Sequence, residues 1–355
     1  MSLIDRYVAR YVVSATLMSL LALLALFSFI ALVDDLDSVG KGDYTLWLAL
    51  EYMVLSMPRL AFSLFPVAAI VGSLMGLGVL AGNSELVVIR AAGVSVARII
   101  GAVLRGAGVL VVVAVLLGEV LSPAAERLAE ERRSFAMSGE LGARIGTGFW
   151  VRDGDSFINI GKVLPEGRMD DVHVYELGAE QRLRVVTHAA QARYTGGEWR
   201  LREVRQTGLE EPPAATSRYL PEAAWRSVLE PDLVRVVSVR PESLSLVGLV
   251  RYVDYLEGNG LDAARYRLAM WTKIVYPLTT ALMIVLAVPM VLGRLRSVGL
   301  GQRVLLGIAV GVAFHVAHQV SGHLGLVYGL SPFACAVLPS LALAGVGWWL
   351  VRSVR

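Results

Sequence analysis

The chain has 355 residues, 55% of them hydrophobic and 18% charged, with a mean hydropathy of +0.61. Soluble domains carry about 25% charged residues, so this composition excludes an ordinary soluble enzyme. The net charge of +3 does not argue for a nucleic-acid partner, because the basic residues gather at the ends of apolar runs, where membrane topology puts them.

Six apolar runs are long enough to cross a bilayer as helices. They are Tyr11–Val33, Met53–Leu80, Ile99–Leu121, Leu268–Leu292, Val304–Ser321 and Ser331–Val351. The first follows Arg6 and Arg10 but is too long for a signal-peptide core, and it reads as a retained helix. Arg6, Arg10, Arg90, Arg98, Arg294, Arg296, Arg303, Arg352 and Arg355 fall on one side of such a topology, and Lys41 alone on the short loops of the other. The positive-inside rule then predicts two cytoplasmic termini and an external polar insert. The organisation is residues 1–122 with three spans, 123–267 as the insert, and 268–355 with three more spans.

The insert alternates with period two and carries hairpin punctuation. Gly148–Ile160 has an Asp-Gly turn, and Ala192–Val204 turns at Gly196-Gly197. Val172–Leu177, Leu183–His188, Ser217–Leu220 and Leu233–Val237 are further strand candidates. Many short strands predict an all-β sandwich or jelly-roll-like domain. Ala124–Met137 and Ser243–Glu257 read as flanking helices. Cys335 is the single cysteine and lies in the last span, so the insert has no disulfide.

Between spans two and three lies Leu80-Ala-Gly-Asn-Ser-Glu-Leu-Val-Val-Ile-Arg-Ala-Ala-Gly-Val-Ser95. Asn83 or Ser84 can cap a helix, Glu85 suits its first turn, Gly93 ends it and Ser95 can cap the next span. The spacing predicts a short helix over about 84–93, either a re-entry loop with a solvated Glu85–Arg90 pair or a lever that docks on a cytoplasmic motor. Gly72 with Gly76, and Gly78 with Gly82, form two G-x-x-x-G patterns suited to close helix packing, and Pro58 and Pro66 should kink the same span. No phosphate-binding loop occurs, so this chain is not expected to hydrolyse ATP or to be an enzyme.

The stretch around Glu85 resembles the coupling segment of the lipopolysaccharide export permeases, the LptF/LptG family of ABC transporter subunits. Val33-Asp-Asp-Leu-Asp-Ser-Val-Gly-Lys-Gly-Asp-Tyr44 and Pro66–Gly78 agree, as do Leu244–Tyr255 and Ala264–Ile274. The last two of these regions are most similar to the G-type branch. The resemblance implies an inner-membrane permease pairing with an F-type paralogue and a dimer of cytoplasmic ATPases that bind the ATP and magnesium. It further implies lipopolysaccharide as cargo, and single-span periplasmic adaptor and jelly-roll bridge proteins as receivers. No cofactor is implied for the chain itself. A permease for another lipid or lipoprotein, or a membrane-anchored periplasmic scaffold, remain the alternatives at this point.

By the same resemblance, Ser84, Glu85, Arg90 and Gly93 form the ATPase-coupling element, and Arg59 and Arg133 stand where substrate-facing cations occur. Lys41 is a third candidate for lipid phosphates, although Asp34, Asp35 and Asp37 lie close by in sequence. Lys273, inside span four, is either functional or snorkels to the interface. His315, His318 and His323 are expected to make polar contacts across the bundle and not to ligate metal; no metal site is expected. Glu126, Glu130 and Glu131 sit among arginines at helical spacing and do not suggest a hydrolase pair.

Overall fold

In the computed structural model the described residues are 3–138, 149–153, 156–164, 168–178, 182–195, 197–209, 216–225, 241–293 and 298–354. Six helices are long and apolar enough to cross a membrane. In chain order the helices are α1 (Leu3–Asp35), α2 (Leu46–Gly82), the short α3 (Glu85–Ala91), α4 (Val96–Leu116) and α5 (Ser122–Ser138). After the sheet come α6 (Leu246–Gly258), α7 (Ala264–Leu292), α8 (Leu300–Tyr328) and α9 (Pro332–Val354). Four of the expected spans lie wholly inside one of these helices, the third runs on past the end of α4, and the sixth begins one residue before α9; the Leu233–Val237 strand, Arg294, Arg296 and Arg355 lie outside the described residues.

Span three does not stop at Leu121. A π-helical segment, Leu117–Leu121, joins α4 to α5 without a break, so the third crossing helix runs from Val96 to Met137. Pro123 supplies the cause: it has no N–H for the carbonyl of residue 119 and its ring crowds that position, and a widened turn relieves both. The expected boundary between membrane and insert therefore falls inside a continuous helix.

α2 is the central helix. Of its most apolar stretch 83% is buried, against 22% for α1, 17% for α8 and 22% for α9. One core joins Val8, Val12 and Leu20 of α1, Phe65 to Leu80 of α2, Val103 and Leu110 of α4, and Met283 to Val291 of α7. The outward faces of α1, α8 and α9 stay apolar, with Met18, Leu305 and Trp349 among the exposed side chains. In lipid such faces need no protein cover.

The insert forms a six-stranded antiparallel sheet in the order β1-β2-β3-β4-β5-β6. The strands are Phe149–Asp153, Ser156–Leu164, Arg168–Leu177, Leu183–Thr195, Glu198–Gly208 and Thr216–Trp225. Leu183–His188 and the first half of the Ala192 hairpin are one long strand, β4. The sheet buries Ile158, Val172, Ala189 and Trp199 against Tyr252, Val253 and Leu256 of α6.

Every pairing from β2 to β6 skips one opposed pair at the same level: Gly161/Asp171, Asp171/Ala190, Ala190/Glu203 and Glu203/Pro221. Asp171 and Glu203 take left-handed backbone conformations, φ 57° and 52°. Because each strand contributes one residue to this row, register is kept on both sides while the buried phase changes, from Val172 to Met169 and from Ala189 to Ala192. A Cβ on Gly161 would lie 2.9 Å from the Asp171 Cβ, so the row passes through a residue without one.

Candidate functional site

The end of the bundle remote from the sheet carries α3. Ser95 caps α4, its Oγ accepting the Arg98 N–H at 3.3 Å. Gly93, at φ 87°, closes α3 with two bonds, Gly93 N–H to Arg90 O and Val94 N–H to Ile89 O. This is a Schellman closure. Ser84 occupies the N-cap position but its side chain caps nothing, because it sits at φ 60° and an N-cap oxygen is presented from extended backbone. The helix has seven residues, shorter than expected.

α3 is fastened to the bundle at both faces. Leu86 is fully buried in the shared core, and Glu85 is held by α1 rather than by Arg90. Its Oε2 accepts the Tyr7 hydroxyl at 2.9 Å and its Oε1 the Asn83 amide at 3.2 Å. Each carboxylate oxygen keeps a further lone pair for an outside donor. Val88 and Arg90 point outward, and an open cleft of about 340 Å³ runs between Leu86, Val87 and Arg90 of α3 and Val291 and Leu292 of α7.

At the sheet end, α2 and α5 face each other through a charged belt. Arg59 Nε lies 3.0 Å from Oε1 of the buried Glu126. Arg133 Nη2 lies 2.7 Å from the buried Asp35, 3.4 Å from Ser38 Oγ, and its guanidinium stands over the Tyr52 ring at 4.7 Å. Tyr52 donates to Glu130 at 3.3 Å, and Arg132 pairs with Glu51. The Tyr44 hydroxyl donates to Asp35, and burial followed by that bond pushes its pKa upward. Arg59 and Arg133 thus belong to one belt, whereas Lys41 stands apart and exposed in the loop before α2.

Lys273 does not snorkel. It is buried, and its Nζ donates to Gly118 O at 2.9 Å and to Glu119 Oε1 at 3.1 Å. Glu119 Oε2 also accepts the Leu246 N–H at 2.7 Å, so one carboxylate in the π segment ties α7 to the start of α6. The histidines of α8 do not converge: His318 meets Thr272 at 3.4 Å across the bundle, while His315 and His323 bond Gln319 of their own helix.

The glycines divide. Cβ atoms on Gly72 and Gly76 would fall 2.3 Å from Thr16 Cα and 2.8 Å from Tyr11 O, so this pair is the α1–α2 seam. Gly78 faces Arg303 of α8, whose guanidinium donates to its carbonyl. Gly82 meets nothing within 4 Å among the described residues and takes no part in an intrachain seam.

Six crossing helices around a shared core, with a rigidly mounted short helix at one end and a sheet domain at the other, are the architecture of a multi-pass membrane permease. The chain belongs to the LptF/LptG family, whose profile, described as lipopolysaccharide export system permease LptF/LptG, matches residues 6–353. It is 36% identical over 354 residues to the lipopolysaccharide export system permease protein LptG of Haemophilus influenzae, covering 99% of both chains. It is 37% identical over 350 residues to LptG of Escherichia coli K12, covering 98% of this chain and 97% of the relative.

Proposed function

We propose that this chain is the G-type permease of an ABC transporter that extracts lipopolysaccharide from the inner membrane and passes it toward the outer membrane. Both termini and α3 face the cytoplasm, and the sheet faces the periplasm. The chain pairs with an F-type permease, while a cytoplasmic ATPase dimer binds ATP and magnesium. The lipid passes to a periplasmic adaptor and jelly-roll bridge.

The observation that carries this reading is the mounting of α3. A helix with Leu86 in the bundle core and Glu85 bonded to α1 cannot move without carrying α1, α2 and α4. ATPase closure against Glu85, Val88 and Arg90 is thereby converted into helix displacement that narrows the lipid cavity. Charge pairing in such a groove gives register more than affinity. Ser84 and Gly93 set the ends of the lever.

Arg59 and Arg133 serve the lipid phosphates. Each is poised on a carboxylate, Glu126 or Asp35, and a phosphate offers a guanidinium a similar pair of anionic oxygens. Exchange of carboxylate for phosphate is the substrate-recognition step, with exposed Lys41 as the outermost cation.

The test is Glu85→Ala in the reconstituted complex, with lipid release and ATP hydrolysis measured together. Lipid release should fall at least ~10-fold per ATP hydrolysed, equivalent to about 1.4 kcal/mol of lost coupling. Unchanged release per ATP overturns the lever assignment.

A further inference from the structure

The row of side chains on the exposed face of β3 and β4 brings together three groups that the transport reading does not use. Val172 and Val174 point to the α6 side, so Asp171 and His173 share the opposite face. His188 is the register partner of His173 across the β3–β4 ladder. The two imidazole rings stand 4.4 Å apart between centroids. Asp171 Oδ1 lies 2.9 Å from His188 Nε2 and 3.8 Å from His173 Nδ1.

From these contacts we infer that Asp171, His173 and His188 bind a divalent transition-metal ion, Zn2+ or a neighbour that prefers imidazole. One ligand atom from each lies within 4.8 Å of the other two, and among the described residues this is the group with that property. Two ligands about 2.0–2.2 Å from a zinc ion stand roughly 3.3–3.6 Å apart in a tetrahedron, so small side-chain rotations close the site. Three protein ligands leave a fourth position for water or an anionic oxygen. The two imidazoles favour zinc, copper or nickel over calcium and magnesium.

The backbone sets where the Asp171 carboxylate lies. Asp171 adopts φ 57°, a conformation that costs a non-glycine residue of order 1 kcal/mol or more, in the skipped row where β3 has freedom to turn. The room for its carboxylate comes from Gly161, where a Cβ would lie 2.9 Å from Asp171 Oδ2. The nearest charge in register is Arg205, the partner of His188 on β5, and its exposed side chain is free to extend into solvent. Asn159 is the partner of His173 on β2 and carries no charge.

The experiment uses the full-length chain, purified in detergent without a polyhistidine tag and stripped with chelator. Zinc chloride is titrated calorimetrically, and cobalt absorption reports the coordination geometry. One zinc per chain is expected, with intense visible cobalt bands of a four-coordinate site. His188→Gln and Asp171→Asn should each weaken binding at least ~10-fold, since even outer-shell losses cost about 10–100-fold. Asparagine tolerates the left-handed backbone, so Asp171→Asn separates ligation from folding. An unchanged melting temperature of the metal-free variants confirms that the sheet is intact. Absence of zinc binding, or binding that survives His188→Gln and is lost in His315→Gln, overturns the assignment. The outcome is independent of the transport reading, because metal affinity is measured without nucleotide or lipid.

Discussion

Removing the carboxylate of Glu119 strands a buried ammonium. Lys273 has a side chain only 5% exposed, and Glu119 is its ion-pair partner at 3.1 Å, leaving Gly118 O as its second bond. Breaking one side of such a pair costs about 3–5 kcal/mol, because the uncompensated charge stays buried. Glu119→Ala also takes the acceptor from the Leu246 N–H at the start of α6. Glu119→Gln keeps one acceptor oxygen for one of the two donors, sets an NH2 group against the other and removes the charge, so it should cost about 1–3 kcal/mol. Combining Glu119→Gln with Lys273→Met removes the stranded charge and should return the bundle to within ~1.5 kcal/mol of wild type. Equilibrium unfolding in mixed detergent micelles, followed by tryptophan fluorescence, measures all three. If Glu119→Ala costs under ~1 kcal/mol, or the double variant is no better than Glu119→Gln alone, the pair does not hold these helices together.

Gly72→Val should destabilise the bundle by at least ~2 kcal/mol, because its Cβ meets Thr16 backbone, while Gly82→Ala should be neutral or slightly stabilising in the same unfolding assay. Ser95→Ala should cost ~1 kcal/mol through loss of the Arg98 cap, whereas Ser84→Ala removes no cap bond and should change stability by under ~0.5 kcal/mol. Burial first, and Asp153 second, raise the Tyr255 pKa to about 12. A raised folded-state value means that its stabilisation is whole below the ordinary tyrosine pKa near 10 and is lost as pH climbs from there toward 12. Tyr255→Phe should therefore flatten the fall in stability between those limits by up to ~1.4 kcal/mol per pH unit, read from melting curves at stepped pH.

Hydropathy marked all six crossings, since twenty apolar residues in a row have few other fates. Short-range chemistry was equally plain: Ser95, Gly93 and the Gly72/Gly76 pair act through neighbours within a turn or through absence of a side chain. Ser84 was not legible, because a serine after a helix looks the same whether its backbone is extended or left-handed. The union of α4 and α5 was hidden behind Pro123, which signals interruption but is absorbed here by a π turn. Lys273 was visible as an oddity, while Glu119 was not, since the two meet only through tertiary packing. Arg59 and Arg133 are conspicuous in the sequence as cations near span ends, whereas their partners Glu126 and Asp35 emerge only from helix contacts. His173 and His188 become neighbours only once the β3–β4 register is known. A hint was present in the spacing of buried positions, Met169/Val172, Ala189/Ala192 and Leu201/Val204, where alternation slips by one on three strands at the same level.

The central position of α2 has a consequence for biosynthesis. Its apolar surface is closed by α1, made early, but also by Met283 to Val291 of α7 and Phe314 of α8. Those residues are translated only after every strand of the sheet domain. During synthesis the middle of α2 must wait, covered by lipid or by the insertion machinery, while a whole polar domain is produced between it and its last neighbours. The membrane portion is therefore not two modules of three helices each. It is one body whose final closure depends on the C-terminal helices arriving late.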